Sequence, residues 1–175
     1  MTVSLDIAGG IAVIRLDGSS DTVLPDVRAV LPAIIAAGAA VLRIAPDLST
    51  TDLKRLLTAS PSQREAIGAA LRGVRDELAE LPVPIVAAIG GCPSGEAAEL
   101  ALACDRRVLA ADGGLGWVTG DRVLVARRVT ADEALRTGLV DRVVPASAVL
   151  RVAVELANEC KRAQAERNSC PIVAT

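Results

Sequence analysis

The chain has 175 residues, 51% hydrophobic and 23% charged, with a formal net charge of −2, which describes one globular domain (1–175) with room for a single core and excludes a disordered chain. Scattered arginines and a single aromatic residue, Trp117, argue against nucleic-acid binding; no apolar run approaches the ~20 residues of a membrane span, and no export signal opens the chain, so a cytoplasmic protein is expected. The absence of histidine removes Ser-His-Asp and Cys-His mechanisms and most catalytic zinc sites, and Cys92, Cys104, Cys160 and Cys170 lack C-x-x-C spacing and read as reduced packing residues, with no metal expected.

In chain order, "VSLDIAGGIAVIRLDG" predicts a β-hairpin turning at Gly9-Gly10, with Ile11, Val13 and the stem of Arg15 alternating along its second strand. Val27, Val30, Leu31, Ile34 and Ile35 keep helical spacing over residues 25–37, with Pro32 as a kink and Gly38 as the stop. "AAVLRIA" (39–45) is a buried strand, and the polar stretch 46–62 belongs at the surface. A capping box, Ser60 with Gln63, opens the next helix with Pro61 at its first position; Ile67, Leu71, Val74 and Leu78 line one face.

Pro82 and Pro84 end that helix, and "IVAAI" (85–89) is short and apolar enough to be a buried strand. "GCPSGEAAELALACD" (91–105) then turns into a helix with Ser94 as its expected N-cap, and Glu96 and Glu99, three residues apart, share a helix face. "RRVLA" reads as a strand, "DGGLGW" as a turn, "TADEALRTGL" as a short capped helix and "VDRVVP" as a strand. A last helix over about residues 146–167 carries Lys161, Arg162 and Arg167 near its C-terminal end, where the helix dipole favours cations. Alternating strands and helices give an α/β class.

"PIVAAIGGCPSGEAAELALACDRRV" resembles the central signature of the crotonase (enoyl-CoA hydratase/isomerase) family: a Pro-led strand, a Gly-rich turn and a helix ending in Ala-x-x-Cys-Asp. Downstream, "TADEALRTGLVDRVVPASAVL" resembles the family's Gly-Leu-Val and Val-Val-Pro run, and the N-terminal hairpin and first helix are similar more weakly. The resemblance implies a ββα spiral and an acyl-CoA thioester substrate, or a related acyl-carrier thioester. It implies no cofactor beyond the CoA carried by the substrate, and an enolate-like intermediate whose oxygen is held by two backbone N–H groups. It also implies a homo-oligomer, with a trimer among the family's forms. The chain stops at "NSCPIVAT", where family members continue into further helices, so part of the usual C-terminal helical region is expected to be lacking.

By the same resemblance, Glu99 falls on a catalytic glutamate and Glu96 on the residue whose N–H makes half of the oxyanion hole. Gly91, Gly95 and Trp117 fall around the thioester. The other oxyanion donor lies in an Ala-Gly-Ala-Asp-Leu segment of the family, which matches Ala45, Pro46, Asp47 and Leu48 here. Pro46 then occupies the donor position and has no N–H. The second hydratase glutamate is matched by Thr119, with Asp121 the nearest carboxylate, and a loop and helix of the family are missing between Gly120 and Asp132.

Two functional readings follow: an enzyme that hydrates, dehydrates or isomerises an acyl thioester, or a catalytically degenerate homologue that binds acyl-CoA or assists a partner biosynthetic enzyme of polyketide-synthase type. Beside both stand plainer readings of the acids. Glu96 is a first-turn residue favoured by the dipole and Glu99 a helix-surface acid, while a Glu96–Glu99 dyad would set one raised and one ordinary carboxylate side by side.

Overall fold

The computed structural model describes residues 2–17, 23–45, 59–119 and 125–169. β1 (Thr2–Ala8) and β2 (Ile11–Asp17) form the expected hairpin, paired antiparallel from Thr2↔Asp17 to Ala8↔Ile11. Its turn needs Gly9 and Gly10, both at positive φ (59° and 76°), a region that costs any side-chain-bearing residue. β3 (Ala40–Ile44), β4 (Ile85–Ile89), β5 (Arg106–Ala110) and β8 (Arg142–Val144) extend the hairpin in parallel. The six-stranded sheet has the order β1-β2-β3-β4-β5-β8.

Helices cover both faces of this sheet. On one face α1 (Val23–Ala37), α2 (Pro61–Ala79) and α3 (Glu96–Ala103) enclose Ile14, Leu16, Leu42, Ile44, Ile85 and Ile89. On the other, α5 (Val149–Ser169), entered through a 3-10 turn at Ala146–Ala148, lays Val149, Val152, Ala153, Leu156 and Ala157 on Ile11, Val13, Val41, Val86, Ala88 and Val108. Burial from both sides corrects the alternation expected for β2. Ala12, Ile14 and Leu16 are as buried as Ile11 and Val13, because α1 packs against the face that a simple hairpin would leave wet.

The capping box of α2 is present in both directions: Gln63 N donates to Ser60 Oγ (3.3 Å) and Ser60 N to Gln63 Oε1 (2.8 Å). Val74 and Leu78 of that face are buried, while the side chains of Ile67 and Leu71 lie outside the described residues. α1 continues through Pro32, and Gly38 ends it at φ +74°. Lys161 was expected to serve its own helix end. Its Nζ instead donates to Ala37 O (2.9 Å) and Gly10 O (3.0 Å), so the cation satisfies the C-terminus of α1 and the hairpin turn, where free carbonyls concentrate negative potential.

Two further corrections concern the region after β5. "DGGLGW" is only partly a turn: β6 (Gly114–Thr119) begins inside it and pairs antiparallel with β7 (Val125–Thr130), a strand absent from the sequence reading. Glycines within β6 depress its strand pattern, and the arginine pair in "VARRVT" masks β7. α4 (Ala131–Arg136) follows with Thr130 as N-cap, its Oγ1 accepting from Glu133 N (3.3 Å). The surface placement of 46–62 falls largely on residues outside those described, as does Cys170.

Candidate active site at the end of strand β4

At the carboxyl end of β4 the chain leaves the sheet through Gly90–Gly95 and enters α3. The route is fixed by backbone hydrogen bonds: Gly90 N donates to Ile44 O (3.3 Å), Gly114 N to Gly91 O (3.0 Å) and Gly116 N to Pro93 O (2.9 Å). Ser94 bridges to Gly116, so β6 is stitched onto the turn along its length. This overturns the expectation that Ser94 caps α3. The N-cap is Gly95, at φ 60° and ψ −131°, a conformation open essentially to glycine alone, and no side chain caps the helix.

The first helical hydrogen bond runs from Glu99 N to Gly95 O (3.1 Å). The amides of Glu96, Ala97 and Ala98 therefore precede the ladder, and an uncapped first turn presents N–H groups and the positive dipole end together, the arrangement that suits an anion. Glu99 follows one turn later, half-buried between Ala98 and Leu100, which are both fully buried. Among the described residues its carboxylate has no hydrogen bond or ion pair. The side chain of Glu96 lies outside the described residues, so the Glu96–Glu99 dyad has no geometry here.

The neighbouring strand end is built differently. Ala45 is buried and its N–H donates to Leu16 O (3.4 Å), so that amide is committed to the sheet. Pro46, Asp47, Leu48 and Asp121 lie outside the described residues. Trp117 is the residue after Gly116 in β6, which places its backbone beside the turn, and its side chain is not among those described.

Sequence reasoning passed over the glycines that hold the turn. A Cβ on Gly113 would sit 2.5 Å from Gly91 O, one on Gly114 2.7 Å from Val129 O, and one on Gly116 3.2 Å from Ser94 Cβ. Gly113 and Gly114 mark close backbone approaches and Gly116 a tight contact with the Ser94 side chain, and the spacing in "DGGLG" carried that signal.

The motif's Cys-Asp pair has structural work. Cys104 is buried, its Sγ donates to Leu100 O (3.3 Å), and burial, then Asp105, pushes its thiol up to about 12, so it is a packing group rather than a nucleophile. Asp105 Oδ2 accepts from Ile85 N (2.7 Å) at the start of β4, and Asp141 Oδ2 from Arg107 N (2.8 Å). These carboxylates lock the amino ends of β4 and β5, so the opposite ends present the turn. Among the described residues, no three His, Cys, Asp or Glu side chains gather as a metal site, and no helix is long and apolar enough to cross a membrane.

No protein-family model matches the sequence. Over 115 aligned positions it is 38% identical to the fatty acid oxidation complex subunit alpha of Shewanella halifaxensis, an alignment spanning 51% of this chain and 16% of that protein. The fold superposes on an enoyl-CoA hydratase of Bacillus anthracis with a TM-score of 0.76 and 25% identity, over 97% of this chain and 83% of that one. It also superposes on a monofunctional enoyl-CoA isomerase of M. smegmatis with a TM-score of 0.71 and 22% identity, over 93% and 88% of the two chains.

Proposed function

We propose that the chain is a divergent member of the crotonase (enoyl-CoA hydratase/isomerase) family and that it acts on an acyl-CoA thioester, or an acyl-carrier thioester, through an enolate-type intermediate. The observation that carries the reading is the uncapped first turn of α3, with the half-buried Glu99 one turn behind it. The Glu96 N–H donates to the thioester oxygen and gains strength as charge builds there, since an N–H fixed by the helix needs no reorganisation during reaction. Glu99 then moves the proton, to or from the acyl carbon or a water, as general acid/base. CoA enters as part of the substrate.

One observation favours the second reading, a homologue that binds an acyl thioester without turning it over. Ala45 donates its N–H to Leu16 and the next residue, Pro46, has none, so two consecutive positions at the β3 end offer no second oxyanion donor. Thr119 at the place of the second acid points the same way.

Following the enoyl absorbance of a short 2-enoyl-CoA with wild type and Glu99→Gln separates these readings. The enzyme reading expects turnover that falls about 10²- to 10⁴-fold in Glu99→Gln. Turnover equal in the two proteins removes Glu99 from the chemistry. Calorimetric binding of the thioester without turnover establishes the second reading, and no binding at all defeats both.

A further inference from the structure

On the α5 face of the sheet, away from α3, the strand register sets two arginines side by side. Arg15 of β2 is directly opposite Arg43 of β3, and Arg43 in turn is opposite Ala88 of β4. Neighbouring strands are about 4.8 Å apart, and like charges in register on one face repel. Only one of the pair is compensated: Arg15 Nη2 meets Asp6 Oδ2 at 3.1 Å, while its buried Nε has no acceptor. Arg43 is half-buried and, among the described residues, has neither ion pair nor hydrogen bond.

Arg43 lines a cavity of about 330 Å³ with Ile44, Ala88, Gly90, Ser147, Val149 and Leu150. That volume is at the small end of ligand pockets. The cation stands at an otherwise largely apolar wall, with the Ser147 hydroxyl the other side-chain polar group and no acid among the described lining residues. An uncompensated guanidinium beside a second one, in a cavity with aliphatic walls, is complementary to a carboxylate attached to a short apolar body. The ligand would supply the counter-charge that the described residues do not and cover the side chains of Val149 and Leu150.

We infer that this cavity is a second ligand site, for a short-chain aliphatic carboxylate held by Arg43, on the opposite side of the sheet from the α3 turn. It stands independently of the thioester reading. Gly90 belongs to both places, lining the cavity and opening the turn, so the two sites share one stretch of backbone.

The test is binding to the whole chain, by calorimetry and by thermal shift, with hexanoate as probe, 1-hexanol as its uncharged counterpart and inorganic phosphate as an anion without an apolar body. Hexanoate is expected to bind saturably and at least about tenfold more tightly than either control. Arg43→Gln, which removes the charge from a side chain without partners among the described residues, and Ser147→Glu, which puts a rival carboxylate at an exposed position of the rim, should each weaken hexanoate by about tenfold or more. Glu99→Gln should leave hexanoate binding unchanged, so failure here and failure of the thioester reading are separable. No saturable hexanoate binding, equal binding of 1-hexanol or phosphate, or undiminished binding in both cavity variants overturns the inference.

Discussion

The carboxyl ends of β3 and β4 are adjacent in the sheet, yet they are built on opposite principles. At the end of β4, the turn takes hydrogen bonds from Gly114 and Gly116, and the uncapped helix start keeps its first amides available. At the end of β3, the Ala45 amide is already bonded to Leu16 and proline follows. A site made of backbone donors depends on which amides the surrounding ladder leaves over. The β4 end leaves a set, and the β3 end gives up the one it has.

The largest effect is expected from evening out that contrast. If Pro46 occupies the second donor position, Pro46→Gly supplies the missing N–H and should raise thioester turnover about a hundredfold, the worth of one oxyanion donor. Steady-state assay of the variant checks this, and an unchanged rate breaks the correspondence between Pro46 and the family's donor.

The β4 end can be broken from its neighbour. In Gly113→Ala the new methyl would meet Gly91 O at 2.5 Å, a backbone atom that cannot swing aside as a side chain would, and a cost of about 3 kcal/mol in denaturant unfolding is expected. Gly138→Ala is the control: that residue has φ +74° and open space around it, so only the left-handed conformation is penalised, by about 1 kcal/mol. Equal losses in the two variants would show that the chain entering β6 at Gly113 does not pack closely on the turn.

The smallest effect sharpens the distinction between the reactive and the packed groups around α3. The Cys104 thiol is raised from 9.0 to about 12 in the fold by burial and by Asp105. Between those values the unfolded chain has lost the proton that the folded one keeps, so Cys104 contributes stability that is complete below about pH 9 and declines as pH rises toward 12. Alkylation of the folded protein at pH 8 should spare Cys104 until denaturant is added, read by peptide mass mapping. Modification without unfolding would contradict the burial.

Much of the scaffold was legible because its signals are local. The Ser60–Gln63 box, the five-residue apolar run of β4 and the glycine stops each act within a few residues of chain. A site role for Glu99 is suggested only through a family resemblance; periodicity alone makes Glu99 an ordinary helix acid. The burial of both faces of β2 and the destination of Lys161 escaped, since each depends on elements far away in sequence, while β7 escaped because its own arginine pair masks the strand pattern.

What the sequence determined by itself is the order and type of most elements, the absence of any imidazole for catalysis and the placement of a glycine turn ahead of a helix bearing Glu96 and Glu99. What only the tertiary structure decided is which groups remain available: the first amides of α3 left without a side-chain cap, the Ala45 amide taken by Leu16, Arg43 beside Arg15 and without a counter-charge among the described residues. The physical reason is that propensity and capping act through neighbours in the chain, whereas the saturation of a donor or the pairing of a charge is settled by strand register and packing between distant segments.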